Sequence, residues 1–108
     1  MINMIVTFEE SYLKELYESG KTSDKKHRFQ PSIAKRYKDR VDLLKKVSSK
    51  EELFPIKSLH FEALHGDKRG LFSIKVNDQY RVEFSLDENT EQSILTICNI
   101  VELSNHYE

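Results

Sequence analysis

Apolar and polar positions along this chain follow two different periods, and the change of period separates a helical first half from a strand-forming second half. The opening run "INMIVT", residues 2–7, is short and rich in β-branched residues, as a strand is. From residue 9 the spacing turns helical. Tyr12, Leu13, Leu16 and Tyr17 share one face, Glu9 and Glu10 suit the positive N-terminal end, and Gly20 stands where a C-terminal cap belongs. This predicts a helix over about residues 9–19. A second, longer helix opens at Pro31 and Ser32. Its stripe of Ile33, Tyr37, Val41, Leu44 and Val47 leaves Lys35, Lys38, Asp39, Lys45 and Lys46 largely off the apolar face. Between the helices, "KTSDKKHR" at residues 21–28 reads as a mobile polar connection.

Ser49 followed by Glu51 and Glu52 has the form of a capped single turn that ends before Pro55, with Leu53 and Phe54 directed inward. From about Ser58 every second position is apolar: Leu59, Phe61 and Ala63, then Phe72, Ile74 and Val76, then Tyr80, Val82, Phe84 and Leu86. Asn77 and Asp78 tolerate positive φ and join the last two runs as a tight turn. Residues 94–103 are apolar on both phases, the pattern of a central strand covered on its two faces. The order predicts an α+β fold, with an N-terminal strand and two helices packed on one face of a small, mainly antiparallel curved sheet. With the apolar phase of the hairpin against the helices, Ser73, Lys75, Gln79, Arg81, Glu83 and Ser85 project from the open face.

A chain of 108 residues with 38% apolar content supports one core, so residues 1–108 are read as a single domain. Seventeen basic and eighteen acidic residues give a net charge of -1, which excludes holding a polyanion by overall charge and demands a local patch. The first residues show neither a basic leader nor an apolar span, so a cytoplasmic protein without a membrane segment is expected. The single Cys98 lies in an apolar run and reads as a core thiol. His27, His60, His65 and His106 lack zinc-like spacing, so no metal is expected, and no cofactor either. Nucleotide-dependent and serine-hydrolase motifs are also missing.

The stretch "LHGDKRGLFSIKVNDQYRVEF", with the tail "ELSNHYE", resembles the HigB branch of the RelE/ParE toxin superfamily. The shared pattern is a Leu-x-Gly-x-x-x-Gly loop, a Ser-Ile-x-Val-Asn strand, a Tyr-Arg-x-x-Phe strand and a histidine near the C-terminus. The preceding strand and two helices match the family order, so the similarity runs over essentially the whole chain.

This resemblance implies a toxin encoded with a HigA-like helix-turn-helix antitoxin, acting on the ribosome as a metal-free endoribonuclease on messenger RNA. In such chemistry a ribose 2′-hydroxyl attacks the neighbouring phosphate while the protein moves protons and supplies cations. Arg81 then holds the scissile phosphate through its fork of donors. His106 is the general acid that releases the 5′-oxygen. Glu62 stands where relatives often carry histidine, and His65 where they carry lysine, so either is a candidate base. Lys68, Arg69 and Lys75 are expected on the RNA backbone, and Tyr107 on a base. Each residue also has a plain alternative: a sheet arginine paired with Glu83 or another surface acid, an exposed strand acid, a loop histidine, a solvated charged turn, a solvated tail. Two further functions fit the same resemblance, namely a ParE-like toxin that inhibits DNA gyrase by binding and an inactive partner-binding scaffold.

Overall fold

Strand β1 (Ile5–Phe8) leads into helix α1 (Ser11–Ser19) and helix α2 (Pro31–Lys46) in the computed structural model, which describes residues 2–88 and 95–105. Four strands follow: β2 (Glu62–Ala63), β3 (Leu71–Lys75), β4 (Tyr80–Glu88) and β5 (Thr96–Asn105). The helical stripes read from the sequence are the buried faces. Helix α1 buries Tyr12, Leu13 and Leu16, and α2 buries Ile33, Ala34, Tyr37, Val41 and Leu44. Pro31 fills the first turn of α2, where its missing N–H is no loss, and Lys45 and Lys46 sit at the negative C-terminal end. Glu9 and Glu10 precede α1 instead of occupying its first turn. Glu9 Oε1 accepts a hydrogen bond from Asn99 Nδ2 at 2.8 Å, tying the start of α1 to β5.

The strand order is β1-β5-β4-β3-β2, with β1 and β5 parallel and the other pairs antiparallel. Ile74, Val82, Phe84, Cys98, Ile100 and Leu103 face the helices and are fully buried or nearly so. Tyr37 is wholly enclosed between the layers, and its hydroxyl donates to the Leu13 carbonyl at 2.8 Å, which locks α2 to α1. The segment between the helices is tied to α1: the His27 ring stacks on Tyr12 with centroids 3.6 Å apart, and His27 Nδ1 lies 3.1 Å from Asp24 Oδ2.

Four local expectations are corrected. Phe54 is not directed inward but is 55% exposed, its ring against Phe61 at 5.3 Å. The run from Leu59 is not a strand: residues Lys57–Leu59 form a 3-10 turn that His60 closes at φ 47, and only Glu62–Ala63 pair with β3. Asn77 and Asp78 do not adopt positive φ; the Asn77 side chain instead makes the turn, accepting the N–H groups of Gln79 and Tyr80 at 2.9 and 2.7 Å. Strand β5 is central but covered on one face only. Phe84 pairs with Ile100 and Glu83 with Glu102, so Val101 is a bulge that shifts the phase and lets Ile100 and Leu103, three apart, both face the core.

Candidate functional site

On the open face of the sheet, Arg81 and Glu83 of β4 lie between β3 and β5. Arg81 is opposite Lys75 and Ser104, and Glu83 opposite Ser73 and Glu102. A shallow depression of about 500 Å³ forms there, closed at one side by Glu62, Leu64 and the loop from His65 to Lys68. That loop contains the 3-10 turn Gly66–Lys68, which opens on Gly66 at φ 66 and is followed by Gly70 at φ 99. Both glycines occupy left-handed backbone that a residue with a Cβ resists, which is why the loop folds back over the sheet.

Arg81 belongs to the open face yet its side chain is only 12% exposed, because the loop and β2 fold over it. Nη1 donates to Ser73 Oγ at 2.9 Å and to the His60 carbonyl at 3.4 Å, and it lies 3.4 Å from Glu62 Oε1. Its Nε is buried and has no hydrogen-bond partner among the described residues. A buried donor without an acceptor costs about 1–3 kcal/mol, so such a group in a native fold calls for a partner, be it a water, an ion or a ligand.

Glu83 lies beneath the loop lysine. Lys68 Nζ bonds both carboxylate oxygens, at 3.0 and 2.9 Å, while Ser104 Oγ donates to Oε2 at 2.8 Å. Like charges directly opposite in a sheet repel, so Lys68 also offsets the pairing of Glu83 with Glu102. Arg81 does not pair with Glu83; it pairs with Glu62, an exposed acid, which is the other form of the plain alternative that the sequence allows.

Of the residues singled out in the sequence, Glu62, His65, Lys68 and Arg81 line this depression together. Lys75 and Arg69 do not: Lys75 Nζ pairs with Asp78 at 2.8 Å beyond the end of β3, and Arg69 is exposed past the 3-10 turn. His106 and Tyr107 lie outside the described residues. Glu83, Glu102, Ser104 and Asn105 complete the lining. Alternation alone places Glu83 on this face, but its partnership with Lys68 needs the loop geometry, and Glu102 and Ser104 need the bulge at Val101. Among the described residues no three His, Cys, Asp or Glu side chains converge as metal ligands, and no helix is long and apolar enough to cross a membrane.

Comparison with known proteins agrees with this architecture. Residues 6–97 match the model of the HigB-like toxin family, described as the RelE-like toxin of type II toxin-antitoxin system HigB. The chain is 33% identical to Toxin HigB-1 of Vibrio cholerae over 82 residues, which span 75% of this chain and 82% of that protein. A YoeB/ParE toxin from Agrobacterium tumefaciens has a similar structure, with a TM-score of 0.59 over 96% of this chain and all of the other (100%). At 14% identity that likeness concerns the fold alone.

Proposed function

The chain belongs to the HigB-like family of RelE-like toxins of type II toxin-antitoxin systems, and from that premise we propose that it is a ribosome-dependent endoribonuclease of messenger RNA. Membership implies an antitoxin partner; we take it to be a HigA-like helix-turn-helix protein, and the site of action to be the cytoplasm. The observation that carries the nuclease reading is the Arg81 guanidinium beside a polar depression, its buried Nε lacking an acceptor among the described residues.

In the proposed complex Glu62 and the loop move aside, and a phosphodiester in the depression supplies that acceptor. Arg81 and Lys68 then face its non-bridging oxygens and stabilise the charge that develops as the ribose 2′-oxygen attacks phosphorus. Glu62 or His65 takes the 2′-hydroxyl proton, the new oxygen–phosphorus bond closes a cyclic phosphate, and the bond to the 5′-oxygen breaks. His106 gives that leaving oxygen its proton. For Lys68 to turn to the phosphate it leaves Glu83, whose carboxylate keeps the hydrogen bond from Ser104.

Induced expression in a bacterial host tests the proposal. The expected result is growth arrest with loss of full-length messages, relieved by Arg81→Ala and by His106→Ala. Arrest with intact messages and blocked supercoiling would instead make gyrase the target.

A further inference from the structure

A second concentration of positive charge lies on the helix side of the same hairpin. Helix α2 and the turn between β3 and β4 enclose a cleft of about 490 Å³, lined by Arg36, Arg40 and Lys75. Arg36 and Arg40 are one helical turn apart and therefore neighbours on the α2 surface. Arg36 Nη1 donates to the Val76 carbonyl at 3.1 Å and Arg40 Nε to the Lys75 carbonyl at 2.7 Å, so both guanidinium groups are fixed against the end of β3. Neither forms an ion pair among the described residues, and the other nitrogens of each make no hydrogen bond there. Burial, and to a lesser degree the neighbouring Arg36, pull the Arg40 guanidinium below its ordinary range, while Asp39 acts in the opposite direction. Asp78, the carboxylate on the rim, is 85% exposed and already engaged by Lys75.

We propose that this cleft is a second phosphate site, which holds a phosphodiester of the RNA strand away from the bond that is cut. The inference rests on the RNA-cleaving reading above. Guanidinium groups pinned by one nitrogen keep their remaining donors in a fixed fork, the geometry that suits phosphate oxygens. Ser32, Ser58 and Asn77 add hydroxyl and amide groups to the rim. The apolar lining, Ile33 and Val76, is itself buried, so the cleft offers little to the side chains of a docking peptide. Lys75 stands opposite Arg81 in the hairpin register, which puts the cleft and the open-face depression at one end of a single two-stranded ribbon.

The test is binding of a short fluorescein-labelled single-stranded RNA, made uncleavable by 2′-O-methylation, to the full chain over a range of salt concentrations. The double variant Arg36→Gln, Arg40→Gln is expected to bind about tenfold more weakly, with the salt slope reduced by about 0.7 for each phosphate it no longer neutralises. Asp78→Asn, at an exposed position, is expected to bind more tightly. Unchanged affinity in both, with binding still abolished in Arg81→Gln, would overturn the cleft while leaving the nuclease reading intact. If the double variant fails to fold, Asp78→Asn decides alone, and no gain there overturns the cleft. Tighter binding of polyglutamate than of RNA, abolished by the double variant, would make the cleft a peptide site and also overturn it. Absence of all RNA binding and cleavage by the unaltered chain would remove both the nuclease reading and this inference.

Discussion

Lys68 and Glu83 form a two-point ion pair, Nζ to both carboxylate oxygens at 3.0 and 2.9 Å, that fastens the loop of the candidate site to the sheet beneath it. The carboxylate is only 7% exposed whereas the lysine is 48% exposed, so solvent screens the pair from one side only. Glu83→Gln is expected to lower stability by about 1 kcal/mol, the lysine's exposure keeping the loss below that of a fully buried pair. Its clearer signature is local. Backbone amides of the segment from His65 to Arg69 should exchange with solvent faster in the variant, while those of β4 stay protected; unchanged loop exchange would mean that Lys68 does not anchor the loop.

Tyr37 gives a second prediction, for the seam between the two helices. Its hydroxyl hydrogen bond to the Leu13 carbonyl is buried, so Tyr37→Phe leaves that carbonyl without the side-chain donor and should cost about 1 kcal/mol in chemical denaturation. No change in the denaturation midpoint would show that water or a shifted backbone replaces the bond.

Burial raises three acids, Cys98, Tyr12 and Tyr37, the last furthest, and the first two set the onset of the response to alkali. Burial pushes the Cys98 thiol up to about 12 and the Tyr12 phenol, held down slightly by the Leu103 backbone, up to about 12 as well. In the unfolded chain these groups ionise near their ordinary values of 9.0 and 10.0, so above pH 9 the unfolded state sheds protons that the folded state retains. Stability should therefore be flat with respect to these two groups below about pH 8 and fall as pH rises from 9 towards 12. A denaturation series across that window measures it, and Cys98→Ala should remove the part of the decline that begins near pH 9. In the native protein the thiol should also resist disulfide-exchange reagents at about pH 8 until the chain unfolds.

Much of the fold was legible because its signals are local. The apolar stripes of α1 and α2 and the alternation from Phe72 to Leu86 each report a face directly, and they placed Arg81 and Glu83 on the open side of the sheet. The Asn77 turn departs through a local side-chain contact to Gln79 and Tyr80, and two other departures are breaks in period. The bulge at Val101 mimics a strand apolar on both faces, and the left-handed His60 ends an alternation that the residue types alone would continue. At the site, the depth of Arg81 depends on Ser73 and on the His60 carbonyl, 21 residues away, and the capture of Lys68 by Glu83 joins positions 15 apart. Neither leaves a trace in spacing. The similarity of the motif to HigB-like toxins brought Glu62, His65, Lys68 and Arg81 forward; the structure adds that they line one depression, and that Arg69 and Lys75 stand outside it.

The central claim is that the buried guanidinium of Arg81 receives the phosphate of a translated message. It is tested most directly by primer extension on a defined messenger RNA in a reconstituted translation system, with and without ribosomes. The unaltered protein should produce discrete cuts only when the message is being translated, and Arg81→Ala should reduce the rate of cutting by about 100-fold or more, the scale of losing a preorganised donor to a developing charge. Cutting by Arg81→Ala at the unaltered rate would contradict the account, as would an intact message in the presence of active protein.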